Sequence, residues 1–143
     1  MIILDTNILS LLQRDDSVES RRIRARVAEL PREERVCMTV ITYEEQFRGW
    51  MAYVAKARTH AQQVHAYELL YKHFAEYRST DVVEFEARAV SLSHELRKTY
   101  RRIGLMDIRI AAIALEHGAL LISQNLIDFG QIAKLRVEDW TLG

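Results

Sequence analysis

The sequence predicts an α/β fold with a central, mostly parallel sheet, and three observations support this. Short apolar runs lack the polar alternation of a half-solvated strand, so they are typical of strands buried on both faces. The segments between them repeat apolar residues every three or four positions, as helices do. The 143 residues include one Pro and five Gly. Because no linker or repeat is visible either, we expect a single domain over residues 1–143.

Five short segments are predicted to be strands. The first ends directly at an acid, and the fourth follows Gly118, which is typical of the end of a helix. The fifth is expected at an edge of the sheet. The five segments are Ile2–Leu4, Val36–Thr39, Val82–Glu84, Ala119–Ser123 and Arg136–Glu138.

Periodicity predicts helices between these strands. A stripe of Ile23, Val27 and Leu30 predicts a helix that Pro31 stops. Residues 107–117 are apolar almost all round, which predicts a helix buried on most sides. Two long neighbouring stripes predict a helical-hairpin arm, and we interpret their aromatic residues as core. A dimer surface or a groove for a partner's amphipathic helix is the alternative. The aromatic residues are Tyr43, Phe47, Trp50, Tyr67, Tyr71 and Phe74.

The composition excludes several classes of protein. With 49% hydrophobic and 28% charged residues, the chain is typical of a globular protein. Its 20 Lys+Arg and 20 Asp+Glu argue against a protein that coats polyanions by bulk positive charge. Cys37 is the single cysteine, so a reducing cytoplasm is expected. No signal peptide is expected, and no apolar stretch approaches the ~20 residues of a membrane span.

Acidic and amide residues follow the places where predicted strands end. Asp5 follows the first strand, and Glu45 lies shortly after the second. Asn125 follows the fourth strand, and Asp107 opens the buried helix. Because ligands of parallel sheets bind beyond the carboxyl ends of strands, we expect these residues to converge. Carboxylates in one cleft repel one another, and oxygen ligands favour Mg²⁺ or Mn²⁺ to relieve the repulsion. A metal held near a phosphodiester activates water, which is nuclease chemistry.

A simpler interpretation of the three acids stays open at this point. Acids are ordinary near helix N-termini, where they cap the helix and complement its dipole. Asp5, Glu45 and Asp107 all lie in such places. Asp107 favours the metal site, because a carboxylate that leads into an apolar helix is costly to bury without a partner. Spacing alone does not choose between the two interpretations.

Several segments, spread in order from the first residue to the last, carry a family resemblance. Asp5-Thr6-Asn7 follows the first strand, and residues 41–49 place an acid three after a Thr and a Gly four further on, which selects Glu45 over Glu44. Residues 106–115 place an acid before an Ile-Ala-Ala helix. With residues 121–129 and the ending 137–140, these segments resemble PIN-domain ribonucleases, and VapC-type toxins in particular. Residues 59–95 carry little of the resemblance.

The resemblance implies a fold, an activity and roles for particular residues. The fold would be PIN-like, with three layers, α/β/α, and the activity that of a metal-dependent endoribonuclease. It would act as the toxin of a toxin–antitoxin pair, with an RNA substrate, a VapB-like antitoxin and a homodimeric assembly. Asp5, Glu45 and Asp107 would hold Mg²⁺ or Mn²⁺, with Asn125 helping through water or a hydrogen bond. Thr6, Asn7 and Ser123 would orient the acids.

Asn125 marks one departure within the resemblance. Some family members carry an acid at this position and others carry Asn, so activity is still expected, although a second metal site would be weakly held. Asp128 is a conceivable substitute, but we interpret it as an ordinary turn acid before Phe129.

Basic residues near the acids have two interpretations. Arg97, Lys98, Arg101 and Arg102 either grip the RNA backbone or form the solvated C-terminus of a helix, where cations offset the dipole. Arg109, within the buried helix, either pairs with a carboxylate or lies at a subunit contact.

Two other classes of function compete with the nuclease. A PIN-like module that only binds RNA or protein is the first, and the intact set of acids argues against it. A receiver domain or an Asp-nucleophile phosphatase is the second. The phosphatase would need Asp-x-Asp after the first strand, where position 7 is Asn7, and the receiver would need a Lys after the fourth strand.

Overall fold

The computed structural model describes residues 1–14 and 16–143, and these residues contain a five-stranded sheet. The strands run in the order β3-β2-β1-β4-β5, and every pairing is parallel. The predicted α/β class and the five predicted strand positions are therefore confirmed. The strands are β1 (Ile2–Leu4), β2 (Val36–Thr39), β3 (Val82–Val83), β4 (Leu120–Ile122) and β5 (Arg136–Glu138).

Seven helices lie between the strands in the described ranges. The predicted hairpin and the predicted buried helix are present, but the helix expected to stop at Pro31 already ends at Ala28. Three helices, the first, the fifth and the short seventh, were not predicted from any apolar stripe. The helices are α1 (Thr6–Arg14), α2 (Val18–Ala28), α3 (Val40–Lys56), α4 (His60–Arg78), α5 (Ala87–Thr99), α6 (Leu105–Glu116) and α7 (Leu126–Phe129).

Two hydrophobic clusters cover the two faces of the sheet. In β1, Ile3 packs into the cluster that contains α6, whereas Ile2 and Leu4 pack into the cluster that contains α1 and α2. Successive side chains of a strand point to opposite faces, so each apolar run contributes to both clusters. This is the physical reason for strands without polar alternation, and it confirms the three layers.

Helix α6 lies in the centre of the larger cluster. Six of its residues are at most 1% exposed. Its N-terminal turn carries Asp107, so packing of the helix places this carboxylate at the edge of the core. The six are Ile108, Ile110, Ala111, Ala112, Ile113 and Ala114.

The hairpin arm consists of α3 and α4, and its aromatic residues are largely exposed. Phe47, Tyr67, Tyr71 and Phe74 are 44%, 59%, 75% and 54% exposed. The interpretation of the stripes as core is therefore wrong for these four residues, whereas Tyr43 and Trp50 are half-buried. Within the described residues, helix α4 packs chiefly on α3, which leaves the aromatic faces of the two helices largely exposed. Within the described part of the chain, no helix is long and apolar enough to cross a membrane.

Candidate active site

Asp5 lies directly after β1 and is buried, with 4% of its surface exposed. The backbone N–H of Thr6 donates to Oδ1 at 2.7 Å, and the Ser123 hydroxyl donates to Oδ2 at 2.7 Å. These two bonds hold both carboxylate oxygens and compensate part of the cost of burial.

Glu45 lies in the second turn of α3, the helix that follows β2. The Thr39 hydroxyl caps this helix by accepting the N–H of Thr42 at 3.1 Å. The Thr6 hydroxyl donates to Glu45 Oε1 at 2.8 Å and lies 3.3 Å from the Thr42 hydroxyl oxygen. The residue after Asp5 therefore positions the second acid.

Asp107 lies in the first turn of α6, opposite the loop after β4. The Asn125 amide donates to Asp107 Oδ2 at 3.3 Å and to Asp128 Oδ2 at 3.0 Å. The Asn125 oxygen accepts the N–H of Asp128 at 3.3 Å and so caps α7. Asn125 therefore faces Asp107 as a hydrogen-bond donor, and its oxygen is engaged by the backbone. Asp128 lies in the first turn of α7, where a turn acid is expected, and its charge also contributes to raising the pKa of Asp107.

The loop after β4 connects the acids through Ser123. The Ser123 hydroxyl oxygen accepts the N–H of Asn125 at 3.0 Å and lies 3.4 Å from Asn7 Nδ2. The Asn7 oxygen in turn accepts the N–H of Gln124 at 3.4 Å. Each of the predicted orienting residues, Thr6, Asn7 and Ser123, thus contacts an acid or the loop that holds one.

The three carboxylates line one cleft of about 420 Å³. Burial, together with the negative charges of Asp5 and Glu45, raises the pKa of Asp107 to about 6. Burial also raises the pKa of Glu45, assisted by the charge of Asp5. The pKa of Asp5 is raised by burial against the lowering effect of its bond from Ser123. The three carboxylates therefore form an anionic site in which burial and mutual repulsion disfavour the ionisation of all three together.

The donor set of the cleft suits a hydrated divalent cation. Its acidic ligands are oxygens alone, which favour Mg²⁺ or Mn²⁺. Among the described residues, no group of three or more His, Cys, Asp or Glu side chains is positioned to hold a metal ion as it stands. Mg²⁺ usually keeps several waters and takes one or two protein carboxylates, so it fits a cleft whose acids share electrostatic contact without forming a closed cage.

The predicted RNA-binding cluster does not line this cleft. Arg97 donates to the Ile103 carbonyl at 2.6 Å, and Lys98 pairs with Glu95 at 3.0 Å. With Arg101, these side chains line a separate depression on α5. Their contact with RNA, and that of Arg102, stays a prediction.

Arg109 contacts the Met106 thioether at 3.7 Å. It pairs with no carboxylate within the part of the chain that the structure describes.

Sequence reasoning missed Arg14, the one cation that lines the acid cleft among the described residues. Arg14 ends α1, a helix that no stripe predicted. Asn7, Ser10 and Arg14 follow one another at intervals of three and four, and all three line the cleft. That polar spacing after Asp5 was the available signal for a helix with one face toward the site.

Residues 2–135 match the PIN domain family. The chain belongs to this family. The α/β fold of this PIN domain agrees with that match, and the resemblance to the PIN-domain family is confirmed.

Relatives and solved structures span nearly the whole of this PIN domain. A Ribonuclease VapC1 from Haemophilus influenzae (strain R2866) is 31% identical, with 96% of each chain covered. The structure of VapBC-1 from nontypeable Haemophilus influenzae is similar with a TM-score of 0.73 and 29% identity, covering 99% of each chain. The structure of VapBC2 from Rickettsia felis, bound to a DNA fragment from its promoter, has a TM-score of 0.69 at 22% identity, covers 98% of this chain and 99% of that one, and shows the shared fold.

Proposed function

We propose that this PIN domain is an endoribonuclease that hydrolyses RNA phosphodiester bonds with Mg²⁺ or Mn²⁺, and that it acts as the toxin of a toxin–antitoxin pair. The observation that carries the proposal is the meeting of Asp5, Glu45 and Asp107 in one cleft. The relative named Ribonuclease VapC1 supports the reaction class. The cytoplasm, where Cys37 stays a thiol and RNA is present, is the proposed location.

The side chains of the cleft have two roles: some would bind the metal ion, and others orient the side chains that bind it. Asp5, Glu45 and Asp107 would hold the ion, which supplies Lewis acidity to activate water and stabilise the leaving oxygen. Ser123 and Thr6 fix the Asp5 carboxylate, and the Thr6 hydroxyl fixes Glu45. The Asn125 amide holds Asp107 toward the cleft. These hydrogen bonds keep the acids in place before substrate arrives, which lowers the cost of organising the site.

Asp5→Asn and Asp107→Asn test the proposal. Each variant removes one negative charge and keeps the size of the side chain, so both are expected to fold. We expect cleavage of total cellular RNA in Mg²⁺ or Mn²⁺ to fall by at least ~100-fold in each. The measurement is the rate of RNA fragmentation beside the unaltered protein. Equal cleavage by all three proteins would refute the assigned roles.

An antitoxin of the VapB type is the proposed partner, and the aromatic face of the hairpin arm is its proposed docking surface. A groove of about 410 Å³ runs between α3 and α4, lined by the exposed Phe47, Tyr67, Tyr71 and Phe74. An exposed apolar groove between helices suits the apolar face of an amphipathic helix. Solved neighbours of this fold are described as VapBC complexes.

Phe74→Glu tests this docking surface, because a charge in the groove opposes burial against an apolar helix. The variant is co-expressed with the small open reading frame next to its gene, and copurification is measured. We expect the partner to be lost. Retained partner together with a loss of the homodimer would assign the groove to a second copy of this chain instead.

A further inference from the structure

A second cleft, which we call the side cleft, adjoins the acid cleft. It measures about 560 Å³ and is bounded by α1, α3 and α4. Thr6, Ser10, Arg14 and Glu45 line both clefts, so the two form one continuous depression. A volume of this size accommodates a ligand of several hundred daltons. A chain seated over the acids would therefore extend into the side cleft.

The charged groups of the side cleft suit an anion. Arg14 and Lys72 are exposed on its lining, and neither forms an ion pair with any described residue. Glu45 is the only carboxylate among the described residues that line it, and Glu45 belongs to the acid cleft as well. Two unpaired cations beside a carboxylate cluster match the next phosphates of a nucleic-acid strand.

The far wall of the side cleft carries aromatic rings. Trp50 stacks on the buried His73, with ring centroids 4.0 Å apart and planes at 26°. Tyr53 meets Trp50 edge to face at 5.9 Å, and its side chain is 42% exposed. The buried ring contact fixes Trp50, and Trp50 supports Tyr53 from one side. Exposed aromatic rings held in this way are the surfaces on which unpaired bases stack.

Amide groups complete the lining between cations and rings. Gln13 and Gln46 form an amide pair, with Gln46 Nε2 donating to Gln13 Oε1 at 3.1 Å. Gln46 is buried and is also bonded by the Tyr77 hydroxyl at 2.7 Å, which fixes it. The partly exposed Gln13 lines the cleft, and its Nε2 donates to Gln46 Oε1 at 3.4 Å. Its second N–H and the second lone pair of its oxygen are left for the edge of a base.

We propose that the side cleft binds a nucleotide of single-stranded RNA next to the scissile phosphate. Tyr53 stacks on the base, and Arg14 and Lys72 contact the flanking phosphates. The proposal rests on the proposed ribonuclease function and adds the path that the RNA strand takes from the acid cleft into the side cleft. The basic depression on α5 carries His94 but no Phe, Tyr or Trp among its described lining residues, and it is separate from the acid cleft, so it fits this role less well.

Binding of a fluorescent 12-nucleotide RNA of randomised sequence tests the side cleft, with Asp107→Asn as the parent so that the probe stays intact. Adding Tyr53→Ala is expected to raise the Kd for the RNA by roughly 5- to 100-fold. Adding Tyr53→Phe instead, which keeps the ring, is expected to leave the Kd close to that of the parent. Adding Lys72→Ala is expected to weaken binding and to lower the slope of log Kd against log salt by about 0.7. Lys56→Ala, on the same arm but outside the cleft, is the control and leaves both unchanged.

Two outcomes would overturn the proposal. RNA binding unchanged by Tyr53→Ala and Lys72→Ala would exclude RNA from the side cleft and leave it for a protein segment. If Lys56→Ala weakened RNA binding as much as Lys72→Ala, the loss would come from the lower net positive charge and not from a contact in the side cleft. The ribonuclease proposal is judged separately, because it fails only if the unaltered chain does not cleave RNA or cleaves it no faster than Asp107→Asn.

Discussion

Ionisation of Asp107 lowers the stability of the folded, metal-free chain. It is half-buried at the start of an apolar helix and faces two other carboxylates, which together raise its pKa to about 6 from an ordinary value of 3.8. In the folded, metal-free chain it therefore binds a proton more tightly than in the unfolded chain. Folding stability must fall as the pH rises between these two values, because the unfolded chain then gives up the proton and gains from ionising while the folded chain still retains it.

We expect Asp107→Asn to be more stable than the unaltered chain at pH 7 without metal, and equally stable near pH 4. Water screens the charge of a half-exposed group, so the gain in Tm is modest, about 2–4 °C. Thermal unfolding in a chelator at pH 4, 5, 6 and 7 measures it. A difference in Tm that is constant across this range would contradict the assigned pKa of Asp107.

Divalent metal should reverse the order of the Tm values, so that the unaltered chain becomes more stable than Asp107→Asn. An ion that binds the folded state and not the unfolded chain raises Tm, and it does so more strongly the tighter it binds. Mn²⁺ is expected to raise the Tm of the unaltered chain at pH 7 and to have a smaller effect on Asp107→Asn. The same titration with Asp81→Asn is a control, because Asp81 pairs with Arg35 and does not line the acid cleft. Equal Mn²⁺ shifts in all three would place metal binding elsewhere.

The N-caps of α3 and α4 both contribute to the stability of a helix, but only the N-cap of α3 also helps to position Glu45. Thr39 caps α3 at a fully buried site, and its hydroxyl lies 3.4 Å from that of Thr42, which contacts Thr6 beside Glu45. Thr59 caps α4 at an exposed position in a capping box. The two threonines do the same local work, but only the first is joined to the acid cleft.

Thr39→Val and Thr59→Val are therefore expected to differ in activity. Each loses a helix cap, at a cost of roughly 1 kcal/mol in the free energy of unfolding by urea. Thr39→Val is also expected to lower RNA cleavage about 10-fold, since the support of Glu45 is weakened. Thr59→Val should cleave at the normal rate. Equal cleavage by both variants would show that the threonine chain does not position Glu45.

Periodicity predicted α3, α4 and α6 because their stripes are long, and it missed α1 because that helix has nine residues and one fully buried side chain, Ile8. The same stripes misassigned the aromatic face of the arm. A helical period shows that one face is apolar, but it does not show whether another element covers that face. Among the described residues, α4 packs chiefly on α3, and the aromatic face of the arm is largely exposed.

The two ends of the chain meet in the molecule, and we propose that residues 1–143 form a single domain on this ground. Trp140, near the C-terminus, is 4% exposed and packs in the cluster of Ile2, Leu4 and Ile23. Its indole N–H donates to Glu138 at 2.7 Å, and Arg26 lies 5.7 Å from its ring centroid. The last strand and the first strand thus share one core.

Trp140→Ala tests this unity of the fold. We expect one cooperative urea transition, with the free energy of unfolding lowered by about 3–5 kcal/mol, the usual effect of removing a buried aromatic side chain. Arg26→Ala removes only a surface ion pair and the contact with the ring, so it should cost about 1 kcal/mol or less. A loss for Trp140→Ala no larger than that for Arg26→Ala would exclude the C-terminal segment from the core.

Local patterns in the chain were enough to predict the α/β class, the five strands and the acids that follow their ends. These features depend on burial periodicity and on neighbouring residues, which are properties of short segments. The strand order, the shared cleft of the three acids, the part played by Arg14 and the side cleft depend on contacts between distant residues. The bond from Ser123 to Asp5 joins positions 118 apart. The rule for parallel sheets predicted that the strand ends converge, and the resemblance implied that Ser123 orients an acid. The particular bond was decided by the tertiary structure, because it exists only once the parallel sheet has brought its strand ends to a common edge.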